Sequence, residues 1–300
     1  MDMTQNKCCR HGASLRRRRC RRRKILRSII FSCSIIAVAV FVTVGSSMIR
    51  SGDGRTNKYD VEAGNNTYDN AVIENSKISG KNKIQNNQSM LDDIMNSTQY
   101  PKQLKDLALK NEEALEFVYD YPAEYVKEHT IDLTEEASMD SVPLFVQWDK
   151  RWGYEKYSGN FFAASGCGPT TLSMVVVYLT HNREASPIAV AKYSKEAGYS
   201  VDGSGSSWTL ISEGCMHYGV KAKAVALDES RMKAELDAGH PIVINVGPGD
   251  FTDTGHFMVI TGYDDEGFSI NDPNSIEKSG KRWLFKNISS QIRAVWSMYV

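Results

Sequence analysis

Cysteine is scarce over most of this 300-residue sequence: of six in all, only Cys167 and Cys215 lie beyond residue 33. A secreted domain that relied on bridges would carry more, and a domain of this size can fold on its core alone, so both thiols are expected to be free. Acids are nearly missing from the first 27 residues, which hold Asp2 against eleven Lys and Arg. Charge of either sign is absent from Ser28 to Ile49. The formal net charge of zero therefore describes two regions that cancel, and the chain beyond the basic block is net acidic. The acidic triplet Asp264-Asp265-Glu266 lacks further ligands at suitable spacing and reads as a solvated turn, so neither a metal nor a cofactor is expected. No internal repeat is visible.

The uncharged stretch 28–49 is mostly apolar and long enough to span a bilayer core. The basic tail 1–27 precedes it, which places the N-terminus in the cytoplasm and everything past residue 50 outside. The long basic lead, the full-length apolar run and the lack of an A-x-A-like site favour a signal anchor over a cleaved signal peptide. Runs such as Arg16 to Lys24 can bind nucleic acid, but beside a spanning segment contact with anionic lipid explains them more simply, and no nucleic-acid partner is expected. The sequence carries no statement about oligomeric state.

Residues 50–99 are rich in Asn, Ser, Gly, Asp and Lys without apolar period and read as a disordered stalk. A helical lead-in is expected over 100–141. It contains one helix from Pro101 through Leu104 and Leu107 and another over Glu112–Tyr121, which Pro122 ends or bends. The main domain covers 142–300. Its first half patterns as helices at 168–180, 187–197, 207–218 and 229–238. Its second half patterns as strands at 222–227, 241–246, 256–263, 268–271, 282–285 and 294–299. Helices first and strands later indicate an α+β fold, with helices packed on an antiparallel sheet.

The chemistry centres on Gly166-Cys167-Gly168-Pro169. Pro169 suits the first turn of a helix, which puts Cys167 at a helix N-terminus, where unpaired N–H groups and the dipole favour a thiolate. The flanking glycines let backbone or substrate approach closely. A cysteine nucleophile needs a base, and the base an orienting partner. Of the later histidines, His129 and His181 sit in polar surroundings, His217 follows Cys215 on a different helix face and His240 lies in a turn before Pro241. His256 opens a strand beside Gly255, and Asp272 ends the returning strand, so the carboxylate can accept from the imidazole and fix its tautomer. A two-residue loop at 265–266 would set Asp272 opposite Val259, on the wrong face. The pair therefore requires a bulge or longer loop near Gly262 or Gly267. Gln147 is a candidate second oxyanion donor beside the Cys167 N–H, and reads nearly as well as a surface glutamine on an edge strand.

Gln147 in Val-Pro-Leu-Phe-Val-Gln-Trp-Asp, Cys167 in Ser-Gly-Cys-Gly-Pro-Thr, His256 in Gly-His-Phe-Met-Val-Ile-Thr-Gly-Tyr-Asp and Asp272 in Asn-Asp-Pro together resemble the C39-like cysteine peptidases of bacteria, of papain-like fold. The resemblance covers about residues 142–300. It implies Cys167 as nucleophile, His256 as general base, Asp272 as orienter and Gln147 in the oxyanion hole. The best-known relatives of that family are peptidase domains of bacteriocin exporters, which cleave double-glycine leaders in the cytoplasm. This chain shows no transporter or ATPase segment, and its domain is expected outside, so a surface or secreted peptide, or the peptide part of the cell wall, is the expected substrate. A catalytically silent peptide- or wall-binding module, and an amidase or acyltransferase on the same scaffold, are the alternatives.

Overall fold

The computed structural model describes residues 84–300. The basic tail expected at 1–27, the membrane anchor expected at 28–49 and the stalk as far as residue 83 lie outside the described residues. Among the described residues no helix is long and apolar enough to cross a membrane.

Where the disordered stalk was expected to continue to residue 99, residues 84–96 instead form a helix, α1. Ile94 is fully buried, with Met90, Leu91 and Met95 packed on the same apolar cluster. These positions make one narrow helical stripe, enough to dock a helix but too thin to stand out from its polar, Asn-rich surroundings. The second helix, α2 (Lys102–Lys110), buries Leu104, Leu107 and Ala108. It stops at Asn111, whose side chain accepts from the Glu113 N–H and starts a tighter turn, Glu112–Ala114, that runs into α3 (Leu115–Tyr119). That helix stops at Tyr119, short of the proline, and Pro122 sits in the first turn of a further short helix, Tyr121–Glu124, where a missing N–H is tolerated.

The main unit is α+β. The helices α4 (Cys167–Thr180), α5 (Pro187–Glu196) and α6 (Glu229–Asp237) accompany six strands: β1 (Lys221–Ala224), β2 (Ile242–Val246), β3 (His256–Asp264), β4 (Gly267–Asn271), β5 (Arg282–Trp283) and β6 (Ile292–Tyr299). A four-residue turn of helix, α7 (Ile276–Ser279), lies between β4 and β5. The helix expected over 207–218 is broken into a short α-turn, Thr209–Ser212, and a tighter turn, Gly214–Tyr218. The strands form one antiparallel sheet in the order β1-β6-β2-β3-β4-β5.

Both faces of that sheet are covered, and the side-chain period of two sorts its residues between them. Val243, Phe257, Val259, Trp296 and Met298 join the cluster that contains α4. Ile242, Ile244, Val246, Met258, Ile260 and Val295 join the other, with Met232 of α6. Central strand β2 is therefore buried at every position, and its sequence is a continuous apolar run broken only by Asn245. Helix α4 lies across the sheet with all residues from Gly168 to Val177 buried, which is why its sequence shows little amphipathic period.

Candidate active site

Cys167 is the first residue of α4 and Gly166 its cap, so the thiol stands where the helix presents unpaired N–H groups. The neighbouring glycines are explained by packing. A Cβ on Gly166 would lie 2.6 Å from the Phe162 ring, and one on Gly168 would lie 2.5 Å from Ser206 Oγ. The space expected to admit backbone or substrate is thus filled by the protein itself, which clamps the helix start from two sides.

His256 begins β3, opposite Val246 of β2, and is 6% exposed. Its Nε2 lies 2.7 Å from Asp272 Oδ1, and Asp272 is 1% exposed. That engagement leaves Nδ1 for the Cys167 thiol, which lines the same cleft and interacts with the ring strongly enough to shift both groups. The bulge required for this pairing is present. From the turn, Asp264 pairs with Gly267, Tyr263 with Phe268 and Gly262 with Ser269; the register then shifts at Thr261, and Ile260 pairs with Ile270 and Val259 with Asn271. One more step sets Asp272 opposite Met258, in phase with His256 rather than out of it.

The electrostatics follow from that contact. Desolvation pushes the Cys167 thiol up, but the hydrogen bond and charge of His256, with the Phe257 and Gly168 N–H groups, outweigh it and hold the thiol below its ordinary value. Burial pushes the His256 imidazole down, while the Asp272 carboxylate and Cys167 lift it further, leaving it above its ordinary value. Asp272 Oδ1 also accepts from the Asn274 N–H at 2.8 Å, whereas its buried Oδ2 takes no hydrogen bond among the described residues. A carboxylate so sparsely bonded leaves its charge for the neighbouring ring to balance, which favours the imidazolium. The second thiol is different in kind. Cys215 is fully buried in the core, free of any bridge, and pushed up to about 11 by desolvation.

Gln147 is not an edge-strand surface residue: its segment is irregular coil and its side chain is 5% exposed. The backbone runs against the end of β4, with Asn271 Nδ2 donating to the Val142 and Pro143 carbonyls and Gln147 N donating to Pro273 O at 2.7 Å. Its Nε2 donates to Ala163 O at 2.7 Å. A primary amide has two hydrogens, so the second remains for an acceptor in the cleft. Segment 142–147 thus places the amide and braces the Asp272 turn together.

Cys167, His256 and Gln147 line one open cleft of about 630 Å³. Residues 249–255 line it as well, whereas no residue of 198–207 does. The lead-in also contributes to the lining: Gln103, Asp106, Leu107, Lys110 and Asn111. These residues had no signal in the sequence, being ordinary polar and apolar positions of a short helix. Of the remaining histidines, His217 stacks on Tyr193 with centroids 4.0 Å apart and His240 lies 3.1 Å from Glu235, both away from the cleft. Among the described residues no group of three or more His, Cys, Asp or Glu could hold a metal ion.

Comparison with known proteins places this geometry in context. A model of the Peptidase_C39 like family matches residues 139–300. Among solved structures, the peptidase domain of Streptococcus ComA, a bi-functional ABC transporter involved in a quorum-sensing pathway, is similar at 19% identity and a TM-score of 0.37, covering 45% of this chain and 90% of that one. A protein from Bacillus anthracis described as a C39-like peptidase is similar at 17% identity and a TM-score of 0.32, covering 53% of this chain and 95% of that one. No curated protein matches the chain.

Proposed function

Because the chain belongs to the Peptidase_C39 like family, we propose that it is a cysteine peptidase of papain-like fold, in which Cys167, His256 and Asp272 form a triad and Gln147 serves the oxyanion. The observation that carries this reading is the buried 2.7 Å His256–Asp272 contact beside a cleft that His256 shares with Cys167, itself at a helix start. Cys167, held as a thiolate by the imidazolium, attacks the scissile carbonyl. Negative charge gathers on the carbonyl oxygen, where the Cys167 N–H and the second Gln147 amide hydrogen can meet it. His256 then gives its proton to the leaving amine, and a cysteinyl thioester remains. Water, deprotonated by the now neutral His256, attacks the thioester. The carboxylic acid leaves and the thiolate–imidazolium pair is restored.

The cleft is open, holds about 630 Å³ and is lined by residues of α2 as well as by residues 249–255, which suits a peptide or peptidoglycan-peptide substrate. The apolar run 28–49 behind a basic tail supports a single-pass anchor, with anionic-lipid contact by the tail and the peptidase outside the cell. The test incubates the full chain with a peptide library and with purified peptidoglycan, beside Cys167→Ser. Cleavage by the wild type and a loss of about 10⁴-fold or more in Cys167→Ser is expected. Substrate bound but left intact by the wild type would transfer the cleft to a silent binding module.

A further inference from the structure

The turn that carries Asp272 is held from a part of the chain outside the matched family region. Asp272–Ser275 is a tight reversal: Asn274 N and Ser275 N both donate back to Asp272, to Oδ1 at 2.8 Å and to the backbone oxygen at 3.2 Å. Asp272 N also donates to Ser279 Oγ at 2.9 Å, which ties the turn to α7. The turn's attitude to the sheet depends on what grips it from outside. Gln147 N and Trp148 Nε1 grip Pro273 O and Asn274 O from one side, at 2.7 and 3.2 Å. The lead-in grips it from the other.

That second grip is made by two residues. Asn111 Nδ2 donates to Asn274 O at 2.9 Å and to Asn274 Oδ1 at 3.1 Å. The Glu113 carboxylate accepts from Ser275 Oγ with one oxygen, and with the other from Ile276 N at 2.8 Å and Glu277 N at 3.0 Å. It thereby satisfies the unpaired N–H groups at the start of α7 with a full negative charge, where a helix favours one. Asn111 also lines the cleft, beside Leu107 and Lys110.

We propose that Glu113, assisted by Asn111, is a positioning residue for Asp272: by holding the 272–277 turn it sets the carboxylate at hydrogen-bond distance from His256, and so sets the reactivity of Cys167. The proposal rests on the triad reading above. It makes the lead-in a working part of the active site, because a carboxylate–imidazole contact tolerates only about 0.5 Å of drift before it weakens. A turn released on the lead-in side keeps its internal bonds yet loses its aim. His256 then loses the charge that lifts it, the imidazolium becomes less stable, and the Cys167 thiolate loses its cation. The thiol midpoint therefore moves up. The other titratable groups near the pair are Tyr157, which Cys167 helps to raise, and in the cleft lining Asp106, Lys110, Asp250, Asp253 and Lys278, none of which is itself substituted.

The test follows alkylation of Cys167 by iodoacetamide against pH in the full chain, read by mass spectrometry on the Cys167 peptide so that other thiols do not interfere. Wild type, Glu113→Ala, Glu113→Gln, Asn111→Ala and His256→Ala are compared, each with its melting temperature. The alkylation midpoint is expected to rise by about one pH unit in Glu113→Ala and by less in Glu113→Gln, which keeps one acceptor oxygen, replaces the other with an amide NH2 and removes the charge. Asn111→Ala is expected to shift it in the same direction. A Glu113→Ala profile that superimposes on the wild type, even with a lowered melting temperature, overturns the proposal, since Glu113 would then serve only the fold. If Glu113→Ala does not fold, unchanged midpoints in both Glu113→Gln and Asn111→Ala overturn it. A wild-type profile equal to that of His256→Ala would sink the triad reading, and the proposal with it. A wild type distinct from His256→Ala, with the Glu113 and Asn111 variants unmoved, sinks the proposal alone.

Discussion

At Asp272 a carboxyl group sits where solvent hardly enters, with one oxygen shared between His256 and a backbone N–H and the other without a partner among the described residues. Replacing it by Asn keeps the shape and removes the charge. The amide can also present a hydrogen to the ring, which favours the wrong tautomer. A fall in kcat of about 10³- to 10⁴-fold is expected for Asp272→Asn, by analogy with the orienting carboxylate of other triads. The pH profile should change with it. In the wild type the lowered Cys167 and raised His256 keep the ion pair over a wide span, from below the ordinary thiol value to above the ordinary imidazole value. Without the carboxylate the imidazole falls and the thiol rises, so the two limbs of kcat/KM close on each other. Measuring both limbs in the two proteins checks this, and limbs that stay in place would remove Asp272 from the role.

Among the elements, the antiparallel ladder of β3 and β4 decides whether the site exists. The two strands leave a tight turn in a register that would put Asp272 out of phase with His256, and the extra residue at Thr261 corrects it. Deleting Thr261 should restore the uninterrupted ladder, turn Asp272 to the opposite face and abolish hydrolysis, while circular dichroism still reports a folded sheet. Activity retained by the deletion variant would show that the strands re-register or that Asp272 is dispensable. The six strands and most helices could be read from the sequence because both signals, period two and apolar runs, are local. The need for a bulge could also be read, because side-chain parity is arithmetic. Its position could not, since which residue loops out depends on the packing of both sheet faces. Gln147 was ambiguous for the same kind of reason. Nothing in Val-Gln-Trp reports that the segment runs beside Pro273, and only that neighbour turns a polar residue inward. The stripe of α1 and the cleft-lining face of α2 were illegible because their meaning lies in contacts with residues far along the chain.

On the scale of the whole molecule, the described lead-in and the main unit share an apolar cluster, so they are expected to unfold together. Leu104, Leu107, Leu115 and Val118 of the lead-in are buried with Phe161 and Ala163, residues that immediately precede the Cys167 helix. Phe117 is the key of that contact. It is 3% exposed, its ring stacks on Tyr154 with centroids 4.2 Å apart, and Tyr154 Oη donates to its backbone oxygen at 2.8 Å. It also fills the space beside Gly153, where a Cβ would lie 2.7 Å from the ring. Phe117→Ala should therefore cost about 3–5 kcal/mol, a large share of the stability of an ordinary domain. The five tryptophans, from Trp148 to Trp296, all lie outside the lead-in; Trp148 packs on its apolar cluster, while the others report the main unit, so fluorescence weights the main unit and far-UV circular dichroism also follows the lead-in helices. In a urea titration both probes should trace a single transition in the wild type, and Phe117→Ala should move both midpoints down together. Ellipticity lost well before fluorescence would mean that the lead-in melts as an independent unit. Coincident loss ties the wall of the cleft, the turn under Asp272 and the nucleophile's helix to one cooperative structure, in which a packing defect near residue 117 must reach the chemistry at residue 167.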